Sequence, residues 1–372
     1  MNPIRVMTVF GTRPEAIKLA PVIKRLEKDE RFKSIPVATA QHREMLDQVL
    51  ELFEIKPAED LDLMTEDQPL AELTASIFTG LDPLLEEYAP DWLLIQGDTT
   101  TAMTAALAAY YRRIRIGHVE AGLRTGDKWQ PFPEEVNRRI ISTLADLHFA
   151  PTAWARGNLL KEGVPEAAIR VTGNSIIDAL HMILKLTPPP EMEKLLAEKG
   201  VLGGNKDLIV VTAHRRENFG KPIKEICSAL KELADRYKGK VEMVYPFHLN
   251  PHIHGPVHEL LGDVPNITLL PPLDYLSQVH LMKNAKLILT DSGGIQEEAT
   301  GLGVPCLVLR EVTERPEGVE AGVLKVVGTQ KDAIIEESSR LLENESAWKS
   351  MARATNPYGD GKAGEEIIQL LV

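Results

Sequence analysis

The sequence predicts an α/β protein built from two doubly wound domains, each a parallel sheet covered by helices. Short apolar runs alternate with longer amphipathic stretches along all 372 residues, the pattern of parallel strands linked by crossover helices. The chain is too long for one ordinary core and suits two domains of roughly 150–200 residues each. The strand-like runs fall into two series separated by Leu186-Thr187-Pro188-Pro189-Pro190, a segment that neither a helix interior nor a sheet interior tolerates.

The first series of expected strands is 5–10, 35–40, 91–96, 114–119, 147–150 and 169–171. The second is 208–213, 241–245, 267–270, 287–290, 305–309 and 322–326. The predicted boundaries are 1–172 for the first domain and 173–357 for the second, with a hinge near Gly173. The tail, 358–372, reads as helical and is expected to cross back onto the first domain. No repeat of fixed period and no low-complexity tract interrupts this plan.

Hydrophobic residues make up 44% of the chain and charged residues 26%, values of a globular protein. With 54 acidic against 42 basic side chains the formal net charge is -12. Such a surface repels phosphate backbones, which argues against a nucleic-acid partner. An anionic ligand must then be held by local arginines and helix ends. The two cysteines, Cys227 and Cys306, lie far apart among apolar residues and read as free thiols in a reducing cytosol. The start of the chain runs into a strand pattern without a basic leader, and no apolar run approaches the ~18 residues of a membrane span. A cytoplasmic protein with no membrane contact is expected. No metal is expected either. The histidines are read as lacking a helical His-x-x-x-His pair beside acidic partners, and His252 and His254 as solvent-facing loop residues.

Ligands of open parallel sheets bind at the carboxyl ends of the strands, so the residues after each strand matter most. After the first come Gly11-Thr12-Arg13-Pro14-Glu15-Ala16-Ile17-Lys18. Gly11 suits a sharp exit and Thr12 a helix cap with Pro14 in the first turn. Arg13 and Lys18 near a helix N-terminus suit a diphosphate, the alternative being a capped helix with solvated cations. No GxGxxG occurs, so no dinucleotide cofactor is expected.

Gly97-Asp98-Thr99-Thr100-Thr101 follows 91–96, the threonines being candidate caps and Asp98 either functional or a turn residue. Glu120 stands at the end of 114–119, and Pro133-Glu134-Glu135 opens a helix whose first-turn carboxylates either serve chemistry or complement the dipole. Together Asp98, Glu120 and Glu134 stand at the mouths of consecutive units of one sheet. Crowded carboxylates do not all ionise easily, which provides an acid and a base. Their charge also suits an oxocarbenium-like centre, as a sugar develops when its anomeric group departs.

In the second series, His214-Arg215-Arg216 follows 208–213 and suits anion contact, while His248 follows 241–245. Asp291-Ser292-Gly293-Gly294 turns from a buried strand into a helix. Ser292 and the bare amides of Gly293 and Gly294 suit phosphate oxygens. Glu298, about one turn further in, is placed for ribose hydroxyls; Arg310 and Arg315 flank the next strand exit. The competing reading is a well-capped helix with ordinary acids.

These segments resemble the non-hydrolysing UDP-N-acetylglucosamine 2-epimerases. The resemblance lies in Val9-Phe10-Gly11-Thr12-Arg13-Pro14-Glu15, Gly97-Asp98-Thr99-Thr100-Thr101, Gly117-His118-Val119-Glu120-Ala121-Gly122-Leu123-Arg124-Thr125 and Pro133-Glu134-Glu135. It continues through Thr212-Ala213-His214-Arg215-Arg216-Glu217-Asn218, Asp291-Ser292-Gly293-Gly294, Thr313-Glu314-Arg315-Pro316-Glu317 and Asn356-Pro357-Tyr358-Gly359-Asp360-Gly361. It covers nearly the whole chain in order. It implies two Rossmann-like domains facing a deep cleft, as in glycosyltransferase-B folds, and a homodimer.

The implied reaction interconverts UDP-N-acetylglucosamine and UDP-N-acetylmannosamine without a cofactor, and by analogy serves surface polysaccharide synthesis. UDP leaves carbon 1, a proton leaves carbon 2, and a glycal intermediate is held until UDP returns. Asp98, Glu120, Glu134 and His214 match the family's catalytic group, with Arg13 and Lys18 at the reacting end. His248, Ser292, Gly293, Gly294, Glu298 and Arg315 match its UDP-binding residues.

There are departures. Gln41-His42-Arg43-Glu44 stands where members often carry Gln-His-Arg-Gln, and Asp67-Gln68 where the family has an arginine before the glutamine. Gln41, His42 and Gln68 then resemble the remnant of a second, activating substrate site, weakened by acidic replacements beside an anion. Arg310-Glu311-Val312-Thr313-Glu314-Arg315 departs more mildly. The rival enzyme reading is a retaining UDP-sugar glycosyltransferase, which needs an acceptor. A non-catalytic UDP-sugar sensor has no need of the acidic cluster.

Overall fold

The computed structural model describes residues 2–39, 43–63, 68–247 and 250–372. The chain divides into two compact units, Met1–Met182 with Tyr358–Val372, and Ile183–Pro357. The first unit holds a parallel sheet of β1 (Ile4–Phe10), β2 (Phe32–Ala38), β3 (Glu59–Asp60), β4 (Trp92–Gln96), β5 (Arg115–Val119), β6 (Leu147–Ala150) and β7 (Ile169–Val171). Its strand order is β3-β2-β1-β4-β5-β6-β7. The second unit holds β8 (Asp207–Thr212), β9 (Val241–Pro246), β10 (Ile267–Leu270), β11 (Leu287–Thr290), β12 (Cys306–Val308) and β13 (Leu324–Val326), ordered β10-β9-β8-β11-β12-β13. Each sheet is doubly wound, with its order reversing between β1 and β4 in one and β8 and β11 in the other. Ligand sites of such sheets lie beyond the carboxyl ends at that reversal.

The central strands are mostly apolar because helices cover both faces. In the first unit Met7, Val9, Leu93 and Ile95 pack against Ile77, Leu81, Ala102, Ala105 and Ala109. In the second, Ile209, Val211, Leu287 and Leu289 pack with Ile226, Leu230 and Ile334. Strand β3 carries no apolar run, so the sequence pattern does not reveal it. Strand β2 begins at Phe32 rather than 35, despite Lys33, Ser34 and Pro36, because pairing along β1 fixes the register over the whole length.

Helix Ser175–Ile183 follows Gly173, and the division between units falls at its last residue, between Met182 and Ile183. Its Asp178 carboxylate accepts from the amides of Ala363 (3.1 Å) and Gly364 (2.9 Å), capping the tail helix Ala363–Gln369. A Cβ at Gly364 would come within 3.2 Å of the Pro21 carbonyl, so glycine lets the tail sit against helix Arg13–Lys28.

His252 and His254 are exposed, but they lie in helix Pro251–Leu261, not a loop, because the Asn250 side chain caps the His252 amide at 2.9 Å. His254 and His258 do form a helical i,i+4 pair, ring centroids 4.5 Å apart. Among the described residues no group of three or more His, Cys, Asp or Glu is placed to hold a metal. Nor is any of their helices long and apolar enough to cross a membrane.

Candidate active site

In the first unit the chemistry gathers where β1, β4 and β5 end. Gly11 leaves β1 without a left-handed backbone; it is glycine because a Cβ would lie 2.4 Å from Thr39 Oγ1 and 2.6 Å from Thr101 Oγ1. Helix Arg13–Lys28 starts at once, capped by Thr12. The buried Glu15 carboxylate accepts from the amides of Gly11 (3.1 Å) and Thr12 (2.8 Å) and from the Thr12 and Thr99 hydroxyls (2.7 and 2.6 Å). It thereby stitches the β1 exit to the β4 exit. Burial raises this carboxyl above its usual value, and the hydrogen bonds from Thr99 and Thr12 oppose the rise.

Arg13 is half-buried at the helix start, whereas Lys18 is buried and does not stay free for a diphosphate. Its ammonium pairs with Glu120 Oε1. The same Oε1 accepts from Asn174 Nδ2 at 3.0 Å, and Gln96 Nε2 donates to Oε2. Glu120 also has φ 64, a left-handed conformation that costs a non-glycine residue about 1–3 kcal/mol and clusters at functional sites. The turn from β5 therefore aims this carboxylate at Lys18.

Asp98 follows Gly97, whose own Cβ position is 3.7 Å from Glu120 Oε2. Arg138 holds Asp98 Oδ2 through Nε and Nη2, both at 2.7 Å, and Asn137 Nδ2 donates to the Asp98 carbonyl at 2.9 Å. Both belong to helix Glu134–Leu144, with half-buried Glu134 as its first residue. A carboxylate there faces the positive end of the helix. Its neighbour Glu135 is fully buried and accepts from the amides of Thr125 (3.0 Å) and Gly126 (3.1 Å) and from Arg138 (3.2 Å). Of the glutamate pair, then, Glu135 is spent on scaffolding.

Beneath this floor His118 and His148 are buried. Burial, with repulsion from His148, pushes the His118 imidazole down to about 3; burial, with Arg124, pushes His148 to about 4. Both are neutral, and a His118 ring nitrogen meets the Gly97 carbonyl at 2.7 Å.

In the second unit the fully buried Asp291 joins the exits of β8 and β11. Its Oδ2 accepts from the amides of His214 and Arg215, each at 2.8 Å, and from Asn218 Nδ2 at 2.9 Å. His214 is exposed, with Nδ1 3.8 Å from Asp291 Oδ1. Arg215 is half-buried and Arg216 exposed, so the basic run does not present one cationic face.

Helix Gly293–Gly301 follows, with the Ser292 side chain capping nothing. Gly293 is glycine because a Cβ would fall 2.7 Å from Arg315 Nη1. Arg315 is gripped by Glu297 (3.0 Å from Nε) and Glu314 (2.9 Å from Nη1). A Cβ at Gly294 would meet nothing within 4 Å, which leaves room beside the first turn of a helix whose N-terminal end favours an anion. Glu298 is buried in the same helix, and Arg310 pairs with Glu217. His248, Gln41 and His42 lie outside the described residues; Gln68 is half-buried just ahead of helix Leu70–Tyr88.

Gln96, Asn174 and Arg138 carry no expectation in the sequence; Glu135 does, but as a first-turn carboxylate and not as a buried scaffold. Gln96 is the one polar residue of its strand WLLIQ, which is the signal that marks it. Arg138 is recognisable only as a helical neighbour of Glu134 and Glu135, and Asn174 only once β7 is placed beside β6.

The family model described as UDP-N-acetylglucosamine 2-epimerase matches residues 24–372. A UDP-N-acetylglucosamine 2-epimerase of Yersinia pestis is 53% identical over 370 residues, 99% of this chain and 98% of that protein. Its counterpart in Escherichia coli (strain K12) is 50% identical over the same shares. The solved UDP-GlcNAc 2-epimerase from Neisseria meningitidis bound to UDP-GlcNAc is 47% identical, covers 99% of both chains and matches with a TM-score of 0.90.

Proposed function

The chain belongs to the UDP-N-acetylglucosamine 2-epimerase family, and on that premise we propose how its residues carry the reaction. The enzyme interconverts UDP-N-acetylglucosamine and UDP-N-acetylmannosamine. The carbon 1–oxygen bond breaks with its electron pair leaving on UDP, and the carbon 2 proton passes to a carboxylate. Carbon 2 of the resulting glycal then takes a proton on its opposite face as UDP re-adds to carbon 1.

The observation that carries the assignment of roles is the Lys18–Glu120 pair, held by Gln96 and Asn174 beside Asp98. Glu120 has both oxygens engaged, so it acts as a fixed negative charge that orients Lys18. Proton transfer at carbon 2 falls to Asp98 and Glu134, with Arg138 keeping Asp98 in place. Arg13 neutralises the departing diphosphate, because charge that develops in the transition state gains most from preorganised donors, while Lys18 stays with Glu120. Ser292, Gly293, Gly294, Glu298, Arg315 and His248 hold UDP. That cradle suits an enzyme that must keep its leaving group.

The protein acts in the cytoplasm, where nucleotide sugars are made, and works as a homodimer. Exposed Tyr111, edge-on to Phe78 of the adjacent helix and tilted against exposed Tyr110, gives a second copy an aromatic surface. Chromatography after long incubation with UDP-GlcNAc tests the function. A mixture of the two UDP-sugars with only trace free UDP is expected; stoichiometric UDP and free N-acetylmannosamine would mean a hydrolase.

A further inference from the structure

The segment between β5 and helix Glu134–Leu144 carries two large aromatic rings turned to solvent. Trp129 is 64% exposed and Phe132 58%. The rings stack, centroids 5.7 Å apart and planes inclined by 27°. Scattered surface aromatics need no explanation, but two stacked on one short loop form a built surface. The Lys128 ammonium sits 5.2 Å from the Trp129 centroid, so the ring already presents its electron-rich face to positive charge.

The loop is fastened at both ends. At its start the Thr125 and Gly126 amides donate to Glu135. Within it the Trp129 amide donates to Asp127 Oδ1 at 2.9 Å, and the Gln130 amide to the Asp127 carbonyl at 3.0 Å. At its end Phe132-Pro133 runs into Glu134. Glu135 also meets Arg138, which holds Asp98. The aromatic pair and the two carboxylates assigned to carbon 2 thus belong to one hydrogen-bonded frame within the first unit.

We propose that Trp129, backed by Phe132, is a positioning residue for the reacting hexosamine and retains the glycal between departure and return of UDP. This rests on the epimerase reading above. Once the anomeric bond breaks, the glycal is uncharged and no longer tethered to the nucleotide. The cations and amides that hold UDP lose their grip on it. An indole face against the carbon–hydrogen face of the pyranose keeps its hold whatever the charge. The same face favours the positive charge that builds at carbon 1 while UDP departs.

The test uses the full-length enzyme, with Trp129→Ala and Trp129→Phe, and measures released glycal against UDP-N-acetylmannosamine formed. Trp129→Ala should raise that ratio at least tenfold and lower kcat more than it raises KM, with Trp129→Phe returning toward the parent ratio. Tryptophan emission should shift to the blue with UDP-GlcNAc but not with UDP alone, and the shift should vanish in Trp129→Phe. An unchanged ratio in Trp129→Ala overturns the proposal. So does a changed ratio accompanied by altered sedimentation, since the rings would then serve subunit contact. Deuterium exchange at carbon 2 by the parent enzyme is the separate control. Its absence would defeat the epimerase reading instead.

Discussion

Lys18, in the helix after β1, is ion-paired to Glu120 at the end of β5, and both side chains are buried. Removing either partner leaves a buried charge unmatched, which costs about 3–5 kcal/mol. Lys18→Met should therefore lower the thermal midpoint by several degrees and turnover by at least 100-fold. Glu120→Gln keeps the shape but leaves the Lys18 charge unmatched and turns an amide donor toward Gln96 Nε2 or Asn174 Nδ2, so it should lose turnover and lower the midpoint as well. Melting curves beside kcat check both; a Lys18→Met enzyme with parental turnover would remove the pair from the mechanism.

The two glycines ahead of helix Gly293–Gly301 should respond differently to a methyl group. At Gly293 a Cβ collides with the Arg315 guanidinium, 2.7 Å away, whereas at Gly294 it enters open space. Gly293→Ala should lower both the thermal midpoint and the affinity for UDP. Gly294→Ala should leave the midpoint unchanged but weaken UDP about tenfold, because the methyl occupies the space the phosphate needs. Calorimetry with UDP on both variants separates the two effects.

The buried histidines impose a pH dependence on stability. His118 and His148 are depressed from 6.5 to about 3 and about 4 in the folded chain. Below their ordinary value the unfolded chain binds protons that the folded chain refuses. Stability is then fully present above pH 6.5 and falls as pH drops toward those depressed values. Between pH 6.5 and 5 the loss should be about 2 kcal/mol per histidine. Buried Glu15, whose carboxyl is raised, works in the opposite sense in the carboxylate range. The difference between the parent and His118→Asn isolates that histidine, and the gap between urea midpoints at pH 7 and 5 should narrow by about half in the variant, His148 keeping the rest.

The acidic replacements at Glu44 and Asp67 predict that a second molecule of UDP-GlcNAc is not needed for activity. UDP-N-acetylmannosamine alone should be converted without a lag, and UDP-GlcNAc should give hyperbolic initial rates. A reverse reaction that starts only after UDP-GlcNAc is added would contradict this.

Much of the fold is visible in the sequence because β-rich apolar runs, helical stretches and the Pro188–Pro190 break are local signals. The order of strands is not local, yet it is what brings Thr99 to Glu15 and Gly97 to Glu120. Strand β3 escapes notice because Glu59 and Asp60 pair at an edge without any apolar signature. At the site, Asp98, Glu120 and Glu134 stand out as charges at strand and helix ends. What holds them does not. Lys18 reads as a phosphate ligand until the sheet places it against Glu120, and Glu135 looks interchangeable with Glu134 until its burial shows it supporting Thr125, Gly126 and Arg138. The His254–His258 pair is hidden for a simpler reason: Gly255 and Pro256 make the segment resemble a loop, whereas the Asn250 cap starts a helix through them.

The central claim is inversion at carbon 2 through loss and return of that carbon's proton. Proton NMR of UDP-GlcNAc with the enzyme in deuterated water tests it most directly. The account predicts that the carbon 2 proton signal disappears as deuterium enters and that the manno epimer grows in alongside. Appearance of the epimer with its carbon 2 proton retained, or no exchange and no epimer at all, would contradict it.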